Sequence, residues 1–153
     1  MDMTTQDAGA AGRSRPGWRT ALDDHGHARL TGFIDRATAA LAAASDRVPD
    51  EVLAALADLN LGEPVEVRRL SHPAGEGGLP PLPGAYGFVL DLSFGWRSQD
   101  GGLLLFQDDA ARVRGWRPEA GALTLFDNEQ APVLSLVAPT ARAARMCLIG
   151  GFA

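Results

Sequence analysis

The chain has 153 residues, a length typical of a single domain. Hydrophobic residues make up 46 % and charged residues 22 % of the chain, which is enough apolar material for a buried core. The net charge of −5 argues against a nucleic-acid-binding surface. All 14 basic residues are arginines, and the absence of lysine excludes Schiff-base chemistry and a phosphate-binding loop built on a lysine.

Residues 1–17 are rich in small and polar residues, and we expect a flexible tail there, followed by one domain over residues 18–153. This first segment lacks the apolar stretch of a signal peptide, and no later apolar run approaches the length of a membrane-spanning helix. The sequence therefore predicts a bacterial-type cytoplasmic protein.

The predicted elements are two helices followed by many short strands. Residues 27–33 alternate as a short strand, after which Asp35 is a candidate N-cap for a helix that ends near Ser45. A second helix begins at Pro49 and Asp50 and stops at Gly62.

After Gly62 the apolar period changes from 3.6 to 2, and no further helix is expected. Residues 73–84 hold too many prolines and glycines for a strand. The pattern indicates a mainly β fold, an antiparallel jelly roll of about eight strands with two helices packed outside. The predicted strands cover residues 64–70, 86–93, 102–106, 111–117, 121–126, 132–137 and 144–150.

From Tyr86 onward the order of features resembles the core of the 2-oxoglutarate/Fe(II)-dependent oxygenases, in particular their bacterial prolyl-hydroxylase-like branch. The resemblance covers roughly residues 22–153 and implies a double-stranded β-helix, which is a jelly roll. The positions that carry it are Trp96, Gly101-Gly102-Leu103, Pro118, Leu123–Phe126, Val137, Arg145 and Gly150.

The resemblance implies a facial triad of iron ligands, a His-x-Asp pair and a distal His. The stretch from Ala131 to Pro139 matches the segment with the distal His, and Pro132 stands at its position. Neither possible register places His-x-Asp in the loop before Tyr86. One register puts Pro81 and Pro83 there, and the other puts Glu76 and Gly78 there. We therefore expect the iron triad to be absent and predict neither Fe(II) nor 2-oxoglutarate as a cofactor unless the family activity survives.

The resemblance also implies a role for Arg145, because in this family an arginine on the last strand holds the distal carboxylate of 2-oxoglutarate. A buried arginine in any fold needs an acidic partner, and Asp91 is available. We expect that Asp91 points inward, pairs with Arg145 and occupies the carboxylate site. Both residues are candidates for binding a carboxylate ligand.

The three histidines, His25, His27 and His72, are the only ones that could serve in metal binding or acid–base chemistry. His72 with Glu76 is a weak candidate for a displaced metal site, but a loop or strand-end histidine is the favoured interpretation. His25 and His27 could bind a surface metal from one strand face, although a solvated turn is favoured.

Several aromatic residues are candidates for lining an internal cavity, although core packing is the favoured interpretation for most of them. The single cysteine, Cys147, excludes an internal disulfide and is expected to be buried in the last strand. The cavity candidates are Tyr86, Trp96 and Trp116.

Three functions remain open from the sequence. The first is a non-catalytic homologue that binds a small carboxylate ligand or a protein partner, the latter a second copy of itself or an active oxygenase relative. The second is an enzyme repurposed for metal-independent cyclisation or isomerisation, with Arg145 and Asp91 as polar groups. The third is an active dioxygenase with rearranged ligands.

Overall fold

A computed structural model describes residues 17–108 and 110–153, which form three α-helices and eight β-strands. The predicted flexible tail over residues 1–17 lies outside this range except for Gly17. The helices are α1 (Trp18–His25), α2 (Arg36–Ala44) and α3 (Asp50–Ala57). The strands are β1 (His27–Leu30), β2 (Pro64–His72), β3 (Tyr86–Asp91), β4 (Leu104–Gln107), β5 (Val113–Trp116), β6 (Leu123–Asp127), β7 (Val133–Leu134) and β8 (Arg145–Phe152).

The strands form two antiparallel sheets that face each other as a jelly roll, which confirms the predicted fold class. The large sheet has the order β1-β6-β3-β8-β2, and the small sheet has the order β5-β4-β7. Most observed strands are shorter than their predicted counterparts, because the apolar pattern continues into the turns. None of the helices in the described part of the chain is long and apolar enough to span a membrane.

Two apolar layers cover the two faces of the large sheet. The helices pack on one face, where Leu22, Ala39 and Leu56 meet Phe88, Leu90 and other sheet residues. The other face meets the small sheet through buried apolar side chains that fill the space between the sheets. This second layer contains Val89, Leu104, Phe106, Phe126, Leu134, Cys147 and Ile149.

Asp35 is the N-cap of α2, as predicted. Its side chain accepts a hydrogen bond of 2.7 Å from the Thr38 N–H. The helix α3 begins as predicted but ends at Ala57, five residues before the predicted stop at Gly62. The expectation of two helices missed α1. This helix has only eight residues, of which only Trp18 and Leu22 are buried, so its sequence pattern is weak.

Residues 73–84 form a loop rather than a strand, as predicted, but part of this loop runs along the small sheet. The N–H groups of Gly75 and Gly78 donate to the carbonyls of Val137 and Leu134, and the Glu76 carbonyl accepts from the Val137 N–H. These bonds use residues other than the prolines, so the loop covers the open edge of β7 without forming a regular strand.

Candidate functional site

The centre of the candidate site is a carboxylate held between two buried guanidinium groups. Asp91 ends β3 and Arg145 begins β8, and the pairing of these strands brings the two residues to one end of the large sheet. Asp91 Oδ1 accepts a hydrogen bond of 2.9 Å from Arg145 Nη2. The side chains of Asp91 and Arg145 are 0 % and 1 % exposed, so the expected ion pair forms in the interior.

The second guanidinium belongs to Arg29 on β1, which the sequence interpretation did not include. Its Nη2 lies 3.4 Å from Asp91 Oδ2, and its Nη1 donates to Thr124 Oγ1 at 2.9 Å. The alternation of residues 27–30 provides a signal for this placement, because Arg29 lies on the strand face opposite the buried Ala28 and Leu30.

Further protein groups bind all but one of the polar atoms of Arg145 in this cluster. Arg145 Nε donates to the Gly102 carbonyl at 2.7 Å, and Arg29 Nη2 also donates to the Arg117 carbonyl at 2.8 Å. The Glu119 N–H hydrogen bonds to the Asp91 carboxyl. Arg145 Nη1 is buried without a hydrogen-bond partner among the described residues. One nitrogen of this guanidinium therefore remains for a further acceptor.

Burial and charge act in opposite directions on Asp91. Removal from water raises the pKa of the Asp91 carboxyl above its ordinary value, while the positive charges of Arg145 and Arg29 pull it down. The neighbouring thiol of Cys147 is 1 % exposed, and burial raises its pKa to about 12. A thiol with this pKa is protonated at neutral pH and is not a nucleophile.

The histidines do not meet at one place. His72 is 9 % exposed and pairs in register with Arg145, and its Nε2 lies 2.7 Å from the Gly78 carbonyl. Glu76 is exposed on the loop beside β7. Within residues 17–108 and 110–153, no group of three or more His, Cys, Asp or Glu side chains could hold a metal ion.

His25 and His27 do not share a strand face, because His25 is the last residue of α1 and His27 begins β1. Gly26 between them, at φ 79°, is the left-handed C-cap of the helix. The His27 ring stacks on Phe106 at 4.0 Å. Burial lowers the pKa of His27 below its ordinary value, with smaller contributions in the same direction from the charges of Arg114 and His25.

The three aromatic candidates separate into different regions. Tyr86 is partly buried and packs against the helix-side core. The phase of β3 puts Tyr86, Phe88 and Leu90 on the helix side. Trp116 packs against the layer between the sheets. Trp96 lines an external cleft of about 550 Å³ next to the buried cluster.

Solved structures that are similar to this chain include two prolyl hydroxylases and an epimerase. A prolyl-4-hydroxylase from Pseudomonas putida has a TM-score of 0.76 at 22 % identity, covering 88 % of this chain and 91 % of that one. A prolyl hydroxylase from Trichoplax adhaerens, in complex with a hypoxia inducible factor oxygen degradation domain peptide fragment, has a TM-score of 0.65 at 15 % identity, with coverages of 92 % and 89 %. SnoN, a non-heme alpha-ketoglutarate-dependent epimerase from nogalamycin biosynthesis, has a TM-score of 0.58 at 12 % identity, with coverages of 92 % and 82 %.

These similarities define the class of fold, which is that of the 2-oxoglutarate/Fe(II)-dependent oxygenases. At such low identities the similarity extends to the fold and not to activity. No family model and no curated protein matches the chain.

Removal of the central carboxylate tests the role of the buried cluster. We expect Asp91→Ala to lower the free energy of unfolding by about 3–5 kcal/mol, because two buried guanidinium groups lose their counter-charge. Urea unfolding followed by circular dichroism measures the change. The matched control is Asp46→Ala, which removes an exposed carboxylate and is expected to have little effect. Equal effects of the two variants would contradict a central role for Asp91.

The state of the only thiol is also measurable. We expect Cys147 to react with a thiol reagent at neutral pH only when the protein unfolds, because the thiol is buried and its pKa is about 12. The labelling rate in buffer is compared with the rate in denaturant. Rapid labelling of the native protein would show an accessible thiolate and contradict the packing between the sheets.

Proposed function

We propose that this chain is a non-catalytic binding protein that uses the oxygenase fold without iron and without 2-oxoglutarate. The observation that carries the proposal is the ion pair between Asp91 and Arg145. The resemblance assigns Arg145 to the distal carboxylate of 2-oxoglutarate. Here a carboxylate of the protein occupies Nη2, and the Gly102 carbonyl occupies Nε. The remaining nitrogen, Nη1, is buried, so a second carboxylate could reach it only if the surrounding side chains moved.

The ligand positions support the same proposal. Pro132 stands at the position of the distal histidine and has no atom that could coordinate iron. His72 is engaged with the Gly78 carbonyl, and Glu76 lies exposed beside β7. The residues present therefore do not fit an iron triad, which needs two imidazoles and a carboxylate directed at one point.

Metal-independent catalysis has less support than binding. Asp91 and Arg145 are the polar groups that a cyclisation or isomerisation in the interior would use, and both are almost fully buried and bonded to protein groups. A catalytic acid or base needs contact with its substrate. The apolar layer between the sheets occupies the space where that substrate would lie. A binding protein can hold its ligand or partner on the outer surface and does not need space between the sheets.

Turnover assays distinguish this proposal from an active oxygenase with rearranged ligands. The protein is incubated with Fe(II), ascorbate, oxygen and 2-oxoglutarate. We expect it to form no more succinate than a control without protein. We also expect 2-oxoglutarate to leave the melting temperature unchanged. Succinate formation, or a 2-oxoglutarate-dependent rise in melting temperature that Arg145→Ala abolishes, would overturn the proposal.

A second candidate function, self-association, is favoured by the outer face of the small sheet. This face exposes Val113 and Val133, which are 63 % and 64 % exposed and lie opposite Gln107 and Leu105 of β4. The strand β5 is an edge strand whose four residues are exposed or half-buried. An exposed edge pairs readily with another strand. Because an antiparallel pair of identical strands satisfies two-fold symmetry, a second copy of the chain is the partner that this edge fits.

Self-association is tested by sedimentation equilibrium. We expect a concentration-dependent dimer that Val113→Asp converts to a monomer, because a charge in the centre of an apolar contact must be desolvated. The matched control is Leu41→Asp, which places the same charge at a 49 % exposed leucine on α2. A wild-type protein that stays monomeric, or two variants with the same effect, would contradict association through β5.

A further inference from the structure

The external cleft beside the buried cluster is formed by three segments of the chain. One wall is the loop into α2 at residues 32–36, the second follows β3 at residues 93–96, and the third is the turn between β5 and β6 at residues 117–120. Its volume of about 550 Å³ lies within the range of small-molecule sites. It therefore has room for a ligand of one or two rings.

The walls of this cleft are tied to the core by hydrogen bonds. The Ile34 N–H donates to the Gly121 carbonyl at 3.3 Å, and the Met146 N–H donates to Ser93 Oγ at 2.9 Å. Trp96 Nε1 donates to the Gly101 carbonyl at 2.8 Å. The third wall is held by the buried cluster, through Arg29 and Asp91. Binding at preformed walls costs little conformational entropy.

The second wall presents aromatic surface to the cleft. Phe94 is 39 % exposed, and Trp96 also lines the cleft while its indole N–H is already bonded inward. Gly95 between them has φ 63°, a conformation that turns the chain between the two rings. The exposed Phe94 ring, beside the buried Trp96 at 9 % exposure, favours a flat apolar ligand, which gains stacking as well as burial.

Two arginines line the same cleft as this aromatic surface. The Arg36 guanidinium carbon lies over the Phe94 ring, 5.0 Å from its centroid, and Arg117 belongs to the third wall. Within residues 17–108 and 110–153, Arg117 Nη1 makes a long contact of 3.4 Å with Ser98 Oγ. Of the two acids that line the cleft, Asp35 is committed to the Thr38 N–H as the N-cap of α2. Among the described residues that line the cleft, Glu119 is the acid without such a helix-capping bond.

From this arrangement we propose that the cleft binds an aromatic carboxylate, with its ring against Phe94 and Trp96 and its carboxylate between Arg36 and Arg117. The planar guanidinium donates paired hydrogen bonds to a carboxylate, which makes arginine suited to this ligand. The inference rests on the proposed function, because it assigns the ligand of the binding role to an outer site rather than to the packed interior.

Isothermal titration calorimetry with model ligands tests the inference. Indole-3-acetate and 3-phenylpropanoate are titrated into the full chain, beside tryptamine and acetate, which lack the carboxylate and the ring respectively. We expect saturable binding of both aromatic carboxylates. Tryptamine and acetate are expected to bind at least about tenfold more weakly, because each lacks one of the two interactions.

Variants locate the site. We expect Arg117→Gln and Arg36→Gln each to weaken binding of indole-3-acetate by about tenfold or more, as for the loss of a charge-assisted hydrogen bond. Arg112→Gln is the matched control, since this exposed arginine pairs with Asp108 away from the cleft, and it should leave binding unchanged. Glu119→Gln should leave binding unchanged or tighten it, because it removes a negative charge from the rim.

The outcomes separate this inference from the proposed function. No saturable binding of either aromatic carboxylate, equal binding of tryptamine, or unchanged affinity in both cleft variants would overturn the cleft assignment. A non-catalytic function would then still stand, provided that no succinate forms. Succinate formation would overturn the non-catalytic function, whatever the cleft binds.

Discussion

The buried carboxylate of Asp91 is the interaction on which the structure depends. It pairs with Arg145 at the start of β8 and with Arg29 on β1, and it also binds the Glu119 N–H in the turn before β6. Two guanidinium groups could not remain in this interior without a counter-charge, because an unpaired buried charge costs several kcal/mol. One side chain therefore connects four separate parts of the chain.

The same interaction is the basis of the proposed function, in which an oxygenase fold serves without oxygenase chemistry. In the interior, Arg145 binds an acid of the protein, and apolar side chains from both sheets occupy the neighbouring space. The bonds from Asp91 and Arg29 also hold the turn at residues 117–119, which forms one wall of the external cleft. The cluster thus fills part of the interior and also fixes one wall of the external cleft. The same fold can therefore carry a different site, and function depends on the site.

Local patterns predicted the elements that have strong local causes. Asp35 caps α2 because its side chain reaches the Thr38 N–H, a contact within one turn of helix. The helix α1 was missed because eight residues with two buried side chains carry little periodic signal. The layer that Tyr86 meets could not be predicted, because alternation shows that the two faces of β3 differ but does not say which layer each face meets.

By itself the sequence determined the jelly-roll class, the single thiol, the scarcity of histidine and the pairing of Asp91 with Arg145. These follow from composition, from local periodicity and from the resemblance. Only the tertiary structure decided that Arg29 shares the carboxylate, and that Arg36, Phe94 and Arg117 meet at one cleft. The physical reason is that such contacts join residues far apart in the chain, and strand order and packing, not spacing, bring them together.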